Sequence, residues 1–149
     1  MYQRVAVTLQ ALKTLAGNIS DAPGVKSIVW ITGGFPQIQS YNRAIKRALN
    51  RINEANVAIY PVDARGLMLS SGVRNIGTLE QFANATGGEA YYNRNDVSTL
   101  IEMASEASRS AYMVGFYLSD NDRGFHELKV QVNRRGAELH YRRSYSIPR

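Results

Sequence analysis

Residues 26–34 read Lys-Ser-Ile-Val-Trp-Ile-Thr-Gly-Gly, and they contain the strongest fold signal in the chain. The centre of this stretch, Ile28 to Ile31, is a continuous apolar run, which is typical of a parallel strand covered on both faces. The two glycines that follow allow the backbone to turn sharply at the carboxyl end of the strand, where open α/β sheets place their ligand sites. The stretch therefore predicts a buried parallel strand that ends at a functional edge.

The segments on either side complete a strand–helix–strand unit. Apolar residues at helical spacing predict one amphipathic helix from Tyr2 to Ile19 and a second from Tyr41 to Ala55. The next apolar run, Val57 to Val62, predicts a second strand. Because the connections are short, we expect a right-handed parallel unit.

The middle of the chain predicts two further helices around a short strand. Thr78 and Asp96 (or Asn95) stand where helix N-caps are expected, since short polar side chains accept hydrogen bonds from the first turn. Between the two helices, Glu89 to Tyr92, which ends in two tyrosines, predicts a short strand.

The last third changes to an alternating pattern. Apolar residues occupy every second position in residues 112–118, 128–132 and 137–141, and Arg134-Arg135-Gly136 separates the last two runs. Alternation is typical of half-buried antiparallel strands, so we expect a hairpin at the edge of the sheet. The pattern therefore predicts an α/β fold: a parallel pair of strands with amphipathic helices, and a C-terminal antiparallel edge hairpin.

Composition limits the possible classes of protein. The 149 residues fit one domain, and the absence of cysteine excludes disulfides and thiolate metal sites. No apolar run approaches the roughly 20 residues that a membrane-spanning helix requires. The chain starts in a helical pattern with no signal-peptide pattern, which leaves the compartment open.

Several stretches together resemble a von Willebrand factor A (VWFA) domain, and more narrowly the bacterial VWFA-related proteins of acidobacteria. They are Lys-Ser-Ile-Val-Trp-Ile-Thr-Gly-Gly-Phe-Pro at 26–36, Ala-Asn-Val-Ala-Ile-Tyr-Pro-Val-Asp-Ala-Arg-Gly-Leu at 55–67, Glu-Gln-Phe-Ala-Asn-Ala-Thr-Gly-Gly at 80–88, and Tyr-Arg-Arg-Ser-Tyr at 141–145. The resemblance covers nearly the whole chain. It implies an α/β fold of the Rossmann-like kind: a doubly wound, mostly parallel sheet with helices on both faces and a C-terminal antiparallel edge hairpin. It also implies binding of a protein partner and an exported bacterial protein.

Many proteins of this family bind partners through Mg²⁺ or Mn²⁺ at the carboxyl edge of the sheet. The family's metal site (MIDAS) combines an Asp-x-Ser-x-Ser loop, a threonine, and an aspartate after the strand that corresponds to Ile28–Ile31. This chain has no Asp-x-Ser-x-Ser, and Gly33 or Gly34 stands at the aspartate position. Asp63 is the one carboxylate expected near this edge, whereas Mg²⁺ favours several oxygen ligands. We therefore expect a degenerate site with no metal or cofactor.

The resemblance also implies that the domain is incomplete at its N-terminal side, because the strand that bears the metal loop is missing. In the family that strand is central. Its absence predicts an exposed strand edge, filled by dimerisation or accommodated by a rearranged strand order. Both outcomes are compatible with the pattern of the remaining residues.

The functional prediction is a non-enzymatic protein-interaction domain. Neither His126 nor His140 belongs to a metalloprotease motif, and the chain has no nucleophile elbow or phosphate-binding loop. The expected partner-binding residues lie at the carboxyl edge, with the loop Leu67–Gly77: Thr32, Gly33, Gly34, Phe35, Asp63 and Arg65. Phe35 is expected either as an exposed anchor or tucked into the sheet. Asp63 and Arg65 are a contact point or, as we favour, a structural pair that stabilises the turn.

Net charge offers an alternative function. The formal charge is +6, and two basic clusters, Arg43/Lys46/Arg47/Arg51 and Arg134/Arg135/Arg142/Arg143, predict binding of nucleic acid or another polyanion. Only Tyr141 and Tyr145 add aromatic side chains to these clusters, whereas nucleic-acid surfaces interleave aromatics with cations. A solvated basic surface is therefore the favoured interpretation, and nucleic acid is not the expected partner.

Overall fold

The computed structural model describes residues 2–24, 26–36, 39–67, 76–110, 112, 114–118 and 124–147. These residues form four α-helices, one 3-10 turn and four strands in a mixed α/β arrangement. In chain order the elements are α1 (Tyr2–Asn18), β1 (Lys26–Thr32), a 3-10 turn (Gln39–Tyr41), α2 (Asn42–Glu54), β2 (Val57–Asp63), α3 (Ile76–Thr86), α4 (Val97–Arg109), β3 (Gly124–Glu127) and β4 (Ser144–Ile147).

The predicted strand–helix–strand unit is confirmed. Strands β1 and β2 pair in parallel over their whole length, from Lys26 opposite Val57 to Thr32 opposite Asp63. The helix between them, α2, ends before Asn56, whose φ of 54° is a left-handed conformation that asparagine tolerates better than most residues. This residue reverses the chain into β2.

Helices lie on both faces of the β1–β2 sheet, as predicted. On one face α1, α2 and α3 enclose a hydrophobic core with Ile52, Ile59 and Phe82 at its centre. On the other face α4 packs Leu100 and Ala104 against β2. The alternation of side chains along β2 explains both contacts, because successive residues point to opposite faces.

The prediction that β1 is a buried strand is wrong, although its side chains pack against the core clusters on both faces of the sheet. All seven residues of β2 are buried, whereas those of β1 are half-buried and Ile31 is 51% exposed. Strand β2 has partners on both edges: β1 on one side, and on the other the parallel bridge from Val62 to Tyr91. Within the described residues β1 pairs with β2 alone. A full doubly wound sheet is therefore not seen; the described parallel sheet has two strands and this one bridge.

Of the two N-caps predicted for the middle helices, one is confirmed and the other is wrong. Asp96 is the N-cap of α4, and its carboxylate accepts a hydrogen bond from the backbone N–H of Thr99 at 3.2 Å. Thr78 is not an N-cap, because α3 already begins at Ile76 and buries the Thr78 side chain in its first turn.

The C-terminal antiparallel pairing is confirmed, but it forms a sheet separate from β1 and β2. The register of β3 and β4 pairs His126 with Tyr145, and the bond from Leu128 N–H to Arg143 O continues it. The same register brings Arg134 opposite Ala137, whose N–H donates to Arg134 O at 3.3 Å across the predicted turn. The assigned strands lie at the open end of the hairpin, not next to the turn. The described part of 112–118 forms no strand, although its residues alternate.

Candidate functional site at the carboxyl edge of the sheet

The ends of β1 and β2 bring most of the predicted site residues together. Thr32 lies directly opposite Asp63, and the N–H of Ala64 donates to Thr32 O at 2.9 Å, so the two exit loops start side by side. The Thr32 hydroxyl donates to the carbonyl of Gly34 at 3.3 Å. Gly33 is exposed at the same edge.

Asp63 and Arg65 form a tight ion pair at this edge. The Asp63 side chain is 2% exposed, and its Oδ1 accepts from the backbone N–H of Arg65 at 3.0 Å and from Arg65 Nε at 2.8 Å. Arg65 Nη2 donates to Oδ2 at 2.6 Å, and this hydrogen bonding to Asp63 raises the pKa of the Arg65 guanidinium. The carboxylate therefore stabilises the turn and holds the arginine, which is the structural pair that the sequence favoured.

The Arg65 side chain lies so close to the backbone of Gly34 that glycine is required at this position. Its φ is +103°, and a Cβ at this position would lie 2.8 Å from Arg65 Cζ. The guanidinium thus packs over the glycine backbone, which links the exit loop of β1 to that of β2. A side chain at residue 34 would displace the arginine.

Asn95 is a member of this edge that the sequence analysis did not identify. Its side-chain Oδ1 accepts a hydrogen bond from Leu67 N–H at 2.7 Å, and a Cβ at Gly66 would lie 2.7 Å from the same oxygen. Position 95 could be interpreted only as a possible helix cap. Which loop a polar side chain reaches across the fold depends on how α4 packs against β2, and no local pattern contains that information.

Phe35 is part of the core and does not contact solvent as an exposed anchor would. It is 4% exposed, and its ring meets those of Trp30 and Phe82 edge-on, with centroids 5.3 Å and 5.9 Å away. Burial of an aromatic ring among other rings is strongly favourable, and the glycine turn before Phe35 allows the backbone to place the ring in the core. Phe35 is therefore not accessible to a partner at this edge. Among the described residues at this edge, Ile31 and Leu67 are exposed apolar side chains, at 51% and 56%.

The described residues contain no group of three or more His, Asp or Glu side chains that could hold a metal ion. Both carboxylate oxygens of Asp63 already accept hydrogen bonds from Arg65. A cation at this edge would have to displace a guanidinium from a buried carboxylate. Of the predicted contact loop Leu67–Gly77, residues 68–75 lie outside the described part of the chain.

The two histidines lie in separate environments. His126 stacks on its cross-strand partner Tyr145, with centroids 4.9 Å apart. His140 Nε2 lies 3.7 Å from Glu89 Oε2, the same oxygen that accepts the Tyr91 hydroxyl at 2.9 Å. Burial and the bond to Glu89 raise the pKa of Tyr91. His126 is therefore a cross-strand contact of the hairpin, and His140 lies at the surface beside a carboxylate.

The two basic clusters differ in what their side chains do. On α2, Arg43, Lys46 and Arg47 are exposed, and Arg51 pairs with Glu54 at 3.0 Å. The hairpin cluster does not form one surface. Arg142 donates from Nη2 to the carbonyl of Asn53 at 3.0 Å, near the C-terminal end of α2, and burial lowers its pKa.

Arg143 lies over the ring of Tyr141, with Cζ 4.4 Å from the centroid. Arg134 and Arg135 are exposed at the turn, away from Arg142 in the hairpin register. The second cluster therefore supplies one structural contact, one cation–π pair and two solvated charges.

Comparison with models of protein families, with curated proteins and with solved structures finds no match for this chain. The resemblance to VWFA domains thus stays a prediction from the sequence. The described helices include none with the length and apolar character needed to cross a membrane.

Proposed function

We propose that the chain is a non-enzymatic, VWFA-like protein-interaction domain that binds its partner at the carboxyl edge of the sheet without a metal ion. The observation that supports this best is that the ends of β1 and β2 carry a partly exposed arginine, Arg65, and two exposed apolar side chains, Ile31 and Leu67. Arginine beside exposed apolar side chains is a combination that protein interfaces favour, because the apolar groups lose contact with water while the guanidinium forms directed hydrogen bonds.

Rigidity of the arginine supports the same proposal. Arg65 is held by Asp63 through both of its carboxylate oxygens and rests on Gly34, yet its side chain remains 27% exposed. A side chain that is already fixed loses little conformational entropy when a partner binds. The exposed part of the guanidinium is therefore positioned in advance for a partner's carbonyl or carboxylate oxygens.

The test compares two double variants that each replace two exposed apolar side chains by hydroxyl side chains, in different places. Ile31→Thr with Leu67→Ser alters the edge, and Val7→Thr with Leu15→Ser alters exposed positions of α1, which are 61% and 49% exposed in the native chain. Each protein is immobilised and used to retain partners from an extract of its native host. Partners are identified by mass spectrometry, and a thermal melt checks that both variants fold.

We expect a protein that binds the native chain and the α1 variant and is lost from the edge variant. Light scattering on the purified proteins tests whether that partner is a second copy: a native dimer that the edge variant alone converts to monomer would identify self-association. Retention of the same proteins by all three chains, with no change in oligomeric state, would overturn the proposal.

A further inference from the structure

A groove with a volume of about 560 Å³ lies between α1 and α2 and includes none of the residues of the carboxyl edge. The two helices run side by side in the same direction, since residues 6–13 and 41–51 line this groove and later residues of both helices line the depression that adjoins it. Beyond Lys13 and Arg51 the groove continues into a smaller depression of about 260 Å³ that reaches Glu54. The polar lining of the main groove consists of Gln10, Lys13, Tyr41, Arg47, Asn50 and Arg51.

Positive charge converges on this groove from both helices. Lys13 comes from α1, and Arg47 and Arg51 come from α2, one helical turn apart. None of the described residues that line the main groove is a carboxylate. Gln10 and Asn50 add amide groups that can donate hydrogen bonds to an anion.

Most of the chain's excess charge belongs to these two helices. Together α1 and α2 have six cationic side chains and one carboxylate, a net charge of +5, against +6 for the whole chain. The carboxylate, Glu54, pairs with Arg51, but the two side chains are 60% and 73% exposed. An ion pair this exposed contributes little, so it leaves Arg51 able to turn to another anion.

We propose that the groove between α1 and α2 binds a condensed phosphate chain, such as inorganic polyphosphate or the triphosphate of a nucleotide. Three cations around one groove match a ligand with several negative charges over a short length. Guanidinium groups bind phosphate oxygens in a bidentate manner, and lysine adds a mobile point charge. The volume is within the range of small-ligand sites.

A nucleic-acid strand fits the groove less well. Single-stranded nucleic acids are held by aromatic side chains on which the bases stack, in addition to cations. Tyr41 is the one aromatic residue among the described groove residues, and it lies at one end. Recognition of the phosphates without the bases is what this lining supports.

The experiment measures the affinity for tripolyphosphate by titration calorimetry in low salt with EDTA. The test variants are Lys13→Gln and Arg47→Gln, one from each helix. The matched control is Lys46→Gln, which removes the same charge from the exposed surface of α2 but does not line the groove. All positions are on the helix surfaces, and a melt without ligand checks folding.

We expect each test variant to weaken binding roughly tenfold, because each loses a charge-assisted hydrogen bond. The control should remain within about twofold of the native affinity. Equal losses in all three variants would mean that binding follows the diffuse field of the helices, and would overturn a site in the groove. Absence of tripolyphosphate binding by the folded native chain would overturn it as well.

Three further ligands identify the source of the phosphates. A nucleoside triphosphate that binds as tightly as tripolyphosphate indicates a nucleotide, and a weaker one indicates free polyphosphate; both agree with the proposal. Orthophosphate binding as tightly as tripolyphosphate would contradict recognition of a chain. Tighter binding of oligothymidylate, with equal sensitivity to Lys13→Gln and Lys46→Gln, would replace the proposal with a nucleic-acid surface.

Discussion

Strands β1 and β2 are equal in length and paired residue by residue, yet their environments differ. Every residue of β2 is buried, whereas β1 is half-buried and exposes Ile31. Both strands contain a continuous apolar run: Ile28 to Ile31 in β1, and the longer Val57 to Val62, which includes Pro61, in β2. The run in β1 indicates that a strand forms, but it does not make that strand the central one.

Neighbours on both edges make the difference. The N–H of Ile59 donates to the buried hydroxyl of Thr86 at 2.9 Å, and the N–H of Asp63 donates to Tyr91 O at 2.8 Å. These bonds satisfy the second edge of β2, which would otherwise need water. They also explain how a strand with proline tolerates complete burial, because Pro61 has no N–H and its carbonyl accepts from Tyr91 N–H at 2.8 Å.

The largest expected effect comes from the same substitution in both strands. Ile59→Ala should lower the free energy of unfolding by about 4 kcal/mol, because it leaves a cavity in the core. Ile31→Ala should lower it by less than about 1 kcal/mol, because water already reaches that side chain. Urea denaturation measures both, and equal losses would remove the distinction between the strands.

The two glycine pairs offer a second comparison. A Cβ at Gly88 would overlap the carbonyl oxygen of Ile59, so Gly88→Ala should push against β2 and cost about 3 kcal/mol of stability. At Gly33, after β1, a Cβ would meet no atom within 4 Å, and Gly33→Ala should change stability by less than about 0.5 kcal/mol. A tolerated alanine at 88, seen in the same urea titrations, would show that β2 is less tightly enclosed than described.

Arg65 links the ends of the two strands. Arg65→Ala should destabilise the fold by about 2 kcal/mol, because the substitution leaves the buried Asp63 carboxylate without its cation. The loss is smaller than for a fully buried ion pair because the arginine is partly exposed. Adding Asp63→Asn to that variant should recover part of the loss. Arg135→Ala, at an exposed turn, is the control. No recovery in the double variant would mean that Arg65 acts by packing on Gly34 and not by its charge.

The cap of α4 supports the face of β2 that α4 covers. Two hydrogen bonds from Thr99 lower the pKa of Asp96; the bond from the Thr99 hydroxyl has the larger effect and the bond from its backbone N–H the smaller. A carboxyl group whose pKa is lowered by folding stabilises the native state at pH values above its ordinary pKa. This contribution is lost as the pH falls through the lowered pKa. Asp96→Asn keeps a cap without a titrating group. We expect the difference in melting temperature between the native chain and Asp96→Asn to shrink on acidification; a constant difference would contradict it.

The smallest expected effect is that of divalent cations. Millimolar Mg²⁺ or Mn²⁺ should not raise the melting temperature above its value in EDTA, because Arg65 occupies both oxygens of Asp63. Asp63→Asn in the same melts is the control. An upward shift that this variant abolishes would show that a cation displaces the guanidinium, and would make the carboxyl edge a metal site.

The sequence predicted most members of the site, but it misplaced one and missed another. Asp63, Arg65 and Gly34 could be assigned to one edge because the carboxyl ends of parallel strands lie together. The inward turn of Phe35 depended on Trp30 and Phe82, which are 5 and 47 positions away in the numbering and meet it only in the folded core. Asn95 joins the edge through a bond across 28 residues.

Periodicity in the sequence was sufficient for the type and order of most elements. The helical stripes of α1, α2 and α4, the parallel β1–β2 pair and the turn at Arg134-Arg135-Gly136 all follow from spacing and turn chemistry, which act over a few residues. The tertiary structure alone decided which strand is central, which aromatic ring is buried and which cations share a groove. Burial and charge convergence depend on residues far apart in the chain, and a local pattern cannot specify them.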